Sequence, residues 1–300
     1  LSEEISLVET LDGKRIVHLT GSHLNEYQKC PTSYNHSMVE NLRMLTTPSY
    51  FSRGSFMHKV LEHYYRGKLL RREKDPKYVN LDHGQIISTA IEDARFYAVK
   101  ENMDSSTVNE VLERLELYFK KYYSDGWEPI FVEQPFSKVL FEDEKLLILY
   151  EGQIDLIIRN MSGSVVPVDH KGESRKSVAI GFLNQFTGYA WVTGSERFIV
   201  NKVGFQTSIK DTDKILRREE LHIPFEKQEE WVEDSIVWVR RMLNSKDTNY
   251  WSKNRTSCDK YGRCAYLPIC ESTRAEKDSI IAQGYTIGKP HDPMGEESEE

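Results

Sequence analysis

Two carboxylates and a lysine in this chain are spaced for work on a phosphate. Asp155 interrupts an apolar run of Ile154, Leu156, Ile157 and Ile158, and Asp169 closes another of Val165, Val166 and Val168. Carboxylates seldom sit in such runs unless they are paired or hold a metal. Two of them on adjacent strands can converge on one hard cation, and oxygen ligands suit Mg2+ or Mn2+. Lys171 stands two residues past Asp169, so in an extended strand it projects to the same face. The set suits phosphodiester hydrolysis: the cation acidifies a bound water and draws charge off the phosphate, while the ammonium orients the water or meets developing negative charge. Taken alone, Asp169-x-Lys171 reads equally well as the turn after a strand.

Other residues fit the same site. His58 and Glu62 stand four apart, on one face of a helix, and His58 could add a nitrogen ligand. Gln185 and Tyr189 are also four apart, on the helix after the Asp-x-Lys strand, where they could hold a phosphate or a base. Glu133, on the first strand of the core, is an auxiliary candidate. A separate signal lies in the cysteines. The chain has four: Cys30 stands before Pro31, and Cys258, Cys264 and Cys270 cluster far downstream. A one-plus-three set suits a four-thiolate site, either a 4Fe–4S cluster or zinc. The usual zinc signature is two close pairs, and no C-x2-C occurs here. Gly262 and Pro268 supply the breaks that a loop wrapping a cluster needs. Four scattered buried thiols without a ligand are the plainer alternative.

The elements that must carry these residues follow from periodicity. Ser22 reads as the N-cap of a short helix that ends at Cys30, and Pro31 redirects the chain. Helical spacing marks 52–65, 85–100 and 107–123. After Gly126 come short β-branched runs at 130–132, 146–150, 153–159 and 165–169. A helix at 179–192, strands at 198–206 and 221–225, and an amphipathic helix at 226–243 complete the pattern. This order implies an α/β fold with a mixed sheet flanked by helices.

Composition excludes little. At 300 residues, length alone suggests about two domains. The apolar content of 39% and charged content of 29% are ordinary for a globular chain. The net charge of −7 owes five acidic residues to 291–300, so a local basic stretch, Arg66, Lys68, Arg71, Arg72 and Lys74, matters more than the sum. That stretch reads equally well as a solvated helix end. No apolar run is long enough to span a bilayer, and the opening residues have no secretory pattern. The expectation is a cytoplasmic protein with reduced thiols and no membrane contact. No phosphate-cradling G-x-x-x-x-G-K-[ST] is present, so an ATP motor would have to be a partner.

In order, the motifs are Ser22-x-Leu24-x-x-Tyr27-x-x-Cys30-Pro31, Gly54-x-x-x-His58-x-x-Leu61-Glu62, Gly152-x-Ile154-Asp155, Asp169-x-Lys171, Gln185-x-x-x-Tyr189 and the triple cysteine. Together they resemble the PD-(D/E)XK nucleases, in particular the RecB-like branch with an iron–sulfur staple, which includes the AddB nuclease domain and CRISPR-adaptation and phage exonucleases. The likeness runs from about 22 to 270. It implies a restriction-endonuclease-like core with a helical N-terminal region and a C-terminal iron–sulfur staple. The expected segments are 1–125 (helical, with Cys30 and His58), 126–225 (core sheet), 226–285 (last helix and cysteine loop) and 286–300 (disordered acidic tail), forming one integrated domain. The resemblance implies that His58, Asp155, Asp169 and the His170 carbonyl ligate Mg2+ or Mn2+, with Lys171 catalytic. It further implies that Gln185 and Tyr189 position DNA, that Glu62 and Glu133 assist, and that Cys30, Cys258, Cys264 and Cys270 hold a 4Fe–4S cluster. The first acid of the Asp-x-Lys pair is Asp rather than the commoner Glu, one methylene shorter. The activity implied is an exonuclease on single-stranded DNA or DNA ends, alone or with a helicase or a recombination, CRISPR or phage assembly. A structure-specific endonuclease and a non-catalytic iron–sulfur DNA-binding subunit are the rival readings.

Overall fold

The computed structural model describes residues 8–45, 49–173, 183–206, 211–260 and 263–288. Its first elements are a hairpin, β1 (Val8–Leu11) and β2 (Lys14–Leu19), turned by Asp12 and Gly13, both at positive φ. Then come α1 (Gly21–Lys29), α2 (Pro31–Tyr34), a π-helical turn over Asn35–Val39, and β3 (Leu42–Met44). Three long helices follow: α3 (Ser49–Arg72), α4 (His83–Lys100) and α5 (Ser105–Lys121). The main sheet is then laid down by β4 (Glu128–Glu142), β5 (Leu146–Arg159) and β6 (Val165–Glu173), and after α6 (Leu183–Thr193) by β7 (Arg197–Gly204). A short α7 (Thr212–Ile215), β8 (Leu216–His222) and the long α8 (Phe225–Asp247) come next. The last described elements are a 3-10 turn (Arg255–Ser257), α9 (Leu267–Glu271), α10 (Arg274–Gly284) and β9 (Tyr285–Ile287).

β5 is the axis of the sheet. Along one flank it pairs antiparallel with β4 for almost its full length. The other flank is shared: 146–150 pair in parallel with β2, and 156–159 pair antiparallel with β6. Among the described residues, 151–155 have no strand partner on that flank, so the sheet forks there. Beyond β6 the order continues through parallel β7 to antiparallel β8. Apolar residues cover both faces. Phe56, Leu61, Tyr65, Ala90 and Leu115 from α3, α4 and α5 pack on Leu156, Val168 and Val203. Leu24, Phe186, Trp231 and Val239 from α1, α6 and α8 pack on Ile148, Tyr150 and Val200.

Several sequence expectations are corrected here. The N-cap of α1 is Thr20, not Ser22: Thr20 Oγ1 accepts the His23 N–H, and His23 Nδ1 accepts the Thr20 N–H, in a reciprocal box. The runs at 146–150 and 153–159 are one strand. Gly152 reads as a break but is a close approach, since a Cβ there would lie 3.0 Å from the Phe136 ring. The strand expected at 221–225 is β8, displaced toward a charged run, Arg217 to Glu220, whose residues are satisfied by ion pairs. In the basic stretch, Arg66, Lys68 and Arg72 pair with Glu62, Asp125 and Glu128, which fits a helix end and not a basic track. An N-terminal and a C-terminal segment also meet without the cysteines, because β3 pairs antiparallel with β9 over a small core of Leu42, Tyr266, Ile269 and Tyr285. Gly262, the first residues of the expected 179–192 helix and the acidic tail beyond 288 lie outside the described residues. No helix among those described is long and apolar enough to cross a membrane.

The packing of α6 on the sheet leaves one position without room. A Cβ on Gly188 would lie 2.2 Å from the hydroxyl of Tyr150, which is fully buried. Gly188→Ala should therefore destabilise the fold by about 1–3 kcal/mol, the range for overpacking a core. Urea denaturation of the variant checks this; an unchanged midpoint would contradict the packing of α6.

Candidate active site

The fork in the sheet gathers most of the candidate residues. Beyond Leu156 and Val168, β5 and β6 separate, and the Asp155 carboxylate fills the opening: its Oδ2 accepts the His170 main-chain N–H at 2.7 Å. α3 delivers His58, whose Nδ1 lies 3.4 Å from the same oxygen. β4 delivers Glu133 from the other flank. Its backbone is left-handed, with φ of 49°, at a point where β4 passes Asp155. Such a conformation is costly for a residue with a side chain and tends to persist where function requires it. One ligand atom each from His58, Glu133 and Asp155 lies within 4.8 Å of the others, the spacing of a cation site.

Asp169 adjoins this trio and is fully buried. Lys171 reaches back to it, with Nζ 3.0 Å from Oδ1 and 2.9 Å from Oδ2, as the alternation of an extended strand requires. The ammonium also donates to Gln185 Oε1 at 3.3 Å. The Gln185 amide nitrogen donates to the Tyr189 hydroxyl at 3.0 Å, and that hydroxyl donates to the Gln153 carbonyl at 2.8 Å. Gln153 belongs to the stretch of β5 left unpaired by the fork, so α6 satisfies a backbone acceptor there. Tyr189 is only 7% exposed. Its hydroxyl is bonded to Gln185 and to the Gln153 carbonyl, so it buttresses Gln185 behind Lys171.

The electrostatics are those of a site short of positive charge. Burial first, then the neighbouring carboxylates Asp155 and Glu62, push Glu133 up to about 9. Burial likewise raises Asp155 to about 6 and Asp169 to about 6, against the pull of Lys171. Burial and Lys171 lower His58 to about 4, so its imidazole is neutral at pH 7 with a lone pair to offer. Burial would lower Lys171, but the Asp169 and Asp155 carboxylates outweigh it and hold the ammonium charged. Crowded, desolvated carboxylates beside a neutral imidazole are a donor set that fits Mg2+ or Mn2+. Glu62 is close by but occupied, bound to Lys59 at 2.7 Å and Arg66 at 2.9 Å on its own helix.

The cysteines meet elsewhere. All four line one pocket of about 420 Å3 together with Lys29, Asn254, Tyr266 and Leu267. None is in a disulfide. Cys30 lies between α1 and α2, and its sulfur accepts the Asn254 N–H at 3.4 Å. Burial and the neighbouring thiols raise Cys270.

Sequence reasoning underrated Glu133, whose only signal was an acid inside a strand pattern, and it missed Asn201 and Arg218, which stand behind His170. Asn201 sits in an apolar run, which was a usable signal; Arg218 is lost in a charged stretch.

With the geometry in view, comparison with known proteins assigns the class. The model of the PD-(D/E)XK nuclease superfamily matches residues 18–271, and the chain belongs to that superfamily. Solved structures similar to it include that of SSO0001, at 14% identity over 88% of this chain and 88% of that one, with a TM-score of 0.40. Another is the "Putative exonuclease" from Eubacterium rectale, at 12% identity over 79% of this chain and 84% of that one, with a TM-score of 0.46. No curated protein matches the chain.

Raised carboxylate pKa values carry a pH signature. In EDTA the folded state binds more protons than the unfolded one between pH 3.8 and about 6 at Asp155, so stability from this group is present below that window and lost as pH rises through it. Asp155→Asn has no charge to bury. Relative to the unmodified protein, it should gain stability between pH 4 and pH 7 in EDTA, and it should lose the stabilisation that Mn2+ gives the parent at pH 7. Thermal melts at both pH values test this; a pH-independent difference would remove the electrostatic account.

Proposed function

We propose that this nuclease is a Mg2+- or Mn2+-dependent deoxyribonuclease acting on single-stranded DNA or DNA ends, in the cytoplasm. The observation that carries the reading is the convergence of His58, Glu133 and Asp155 at the fork, with Asp169 and Lys171 beside them. His58, Asp155, Asp169 and the His170 carbonyl are the proposed metal ligands, with Glu133 joining them. The preference for ends rests on the resemblance to the RecB-like branch, and a helicase or a recombination, CRISPR or phage assembly is the class of partner it suggests.

When bound, the cation supplies Lewis-acid chemistry at the phosphate and an acidified water. The protein supplies the geometry. Asp155 is held in one rotamer by the His170 N–H, and His58 approaches it as a neutral donor. Lys171 is fixed between Asp169 and Gln185, charged and partly desolvated, where it stabilises negative charge developing on the phosphate. Tyr189 and Gln153 hold Gln185 in place.

Asp155→Ala and Asp169→Ala should abolish cleavage and weaken metal binding. Lys171→Ala should leave the metal bound and slow cleavage about 10²–10³-fold, the usual cost of one electrostatic stabiliser. Single-turnover cleavage of end-labelled single-stranded, double-stranded and circular DNA, beside metal titration, tests this. Near-normal cleavage by Lys171→Ala or Asp155→Ala would remove this site assignment, no cleavage by the unmodified protein with either cation would leave the non-catalytic DNA-binding module as the better reading, and cutting of closed circles would remove the strict exonuclease.

We also propose that Cys30, Cys258, Cys264 and Cys270 hold one 4Fe–4S cluster. That all four line one pocket with none in a disulfide supports a shared guest, and the one-plus-three spacing without a C-x2-C favours the cluster over zinc. Anaerobically purified protein should be brown, with about four irons per chain by this assignment. Cys264→Ser should lose the iron, and β3 pairing with β9 should limit the damage to the C-terminal segment. Zinc without iron would overturn the cluster's identity.

A further inference from the structure

We propose that Arg218 and Asn201 are positioning residues that grip the His170 imidazole from behind the sheet and thereby fix the backbone of the Asp169–His170–Lys171 strand. The proposal rests on the reading of that strand as part of a divalent-cation nuclease site.

Strand alternation sends Asp169 and Lys171 toward α6 and sends His170 to the opposite face, under α3 and α5. The register then lines up three side chains on that hidden face. His170 is level with Asn201 across the parallel β6–β7 pair, and Asn201 is level with Arg218 across the antiparallel β7–β8 pair. Asn201 is fully buried. Its amide nitrogen donates to His170 Nδ1 at 2.7 Å and to the Tyr118 hydroxyl at 3.0 Å, while its oxygen faces Arg218 Nε at 3.4 Å. Arginine can only donate, so it sets the amide's orientation: oxygen toward Arg218, nitrogen toward His170. His170 Nδ1 is then the acceptor, and the ring proton sits on Nε2. Tyr65 closes the grip by stacking on the imidazole, with centroids 5.6 Å apart and planes 12° from parallel.

Arg218 is itself immobilised. Its guanidinium carbon lies 3.4 Å from the Trp127 ring centroid and 3.6 Å from that of Tyr122. It donates to Asp125 at 2.8 Å and to the Tyr118 hydroxyl at 3.0 Å. A buried ion pair of this kind is a poor source of net stability, because desolvation consumes most of the attraction. What it provides is direction, and here the direction ends at the residue between Asp169 and Lys171, whose N–H also fixes Asp155. Partners of this indirect kind typically change metal affinity 10–100-fold when removed.

The test combines one measurement on the unmodified protein with two variants. In 15N-resolved NMR of the unmodified protein, His170 should show an unprotonated, hydrogen-bonded Nδ1 and a protonated Nε2; a proton on Nδ1 would overturn the proposal. Asn201→Leu keeps the volume and removes the bonds. It should bind Mn2+ about 10-fold or more weakly by calorimetry and cleave more slowly in a single turnover at saturating Mn2+, with affinity for single-stranded DNA within about twofold of the parent. If Asn201→Leu folds and binds Mn2+ within about twofold of the parent, the proposal fails. Should it not fold, Arg218→Lys, which keeps the charge and loses the planar fork, is read by the same criteria. Asp155→Ala serves as control: if it binds Mn2+ as the parent does, the site reading falls, while the NMR result still decides whether His170 is gripped.

Discussion

A stretch of β5 with a strand partner on one flank only organises this molecule. Along its second flank β5 gives its first five residues to β2 and its last four to β6, and among the described residues 151–155 have no strand partner there. Buried peptide groups must find partners, and each partner found here is a functional candidate. The Gln153 carbonyl takes the Tyr189 hydroxyl, which ties α6 to the sheet and sets Gln185 beside Lys171. The His170 N–H, freed where β6 leaves β5, takes the Asp155 carboxylate. The groups that repair the fork thus surround the site.

The fork also explains the electrostatics. Glu133, Asp155 and Asp169 converge between α3, α6 and the splayed strands, and among the described residues Lys171 is the full positive charge bonded to them. Burial and mutual repulsion push the carboxylates toward their protonated forms. An arrangement so unfavourable by itself makes sense in a fold that takes up a divalent cation, and it is the reason a neutral His58 and a charged Lys171 coexist within one small volume.

Much of this was legible in the sequence because buried chemistry breaks patterns. Asp155 and Asp169 stood out against β-branched runs, and Lys171 followed from period-two alternation. The four cysteines, the only ones in the chain, do share one pocket. What stayed hidden depends on long-range register. β1 and β2 join the sheet by a parallel pairing across more than a hundred residues, which no local pattern encodes. β8 carries four charges in succession, Arg217 to Glu220, which hide the strand until Glu173, Asp125, Lys202 and Arg197 are seen to neutralise them. The local N-cap assignment erred by two residues because Thr20 and Ser22 are both good caps and the reciprocal bonds between Thr20 and His23 select the first.

The central claim is that the fork is a divalent-cation centre. Anomalous diffraction at the manganese edge, from crystals grown with Mn2+, tests it most directly. The account predicts a peak within bonding distance of Asp155 and at least one of His58, Glu133 and Asp169. A strong peak elsewhere, with the Asp155 carboxylate unchanged and bonded only to the His170 N–H, would contradict it.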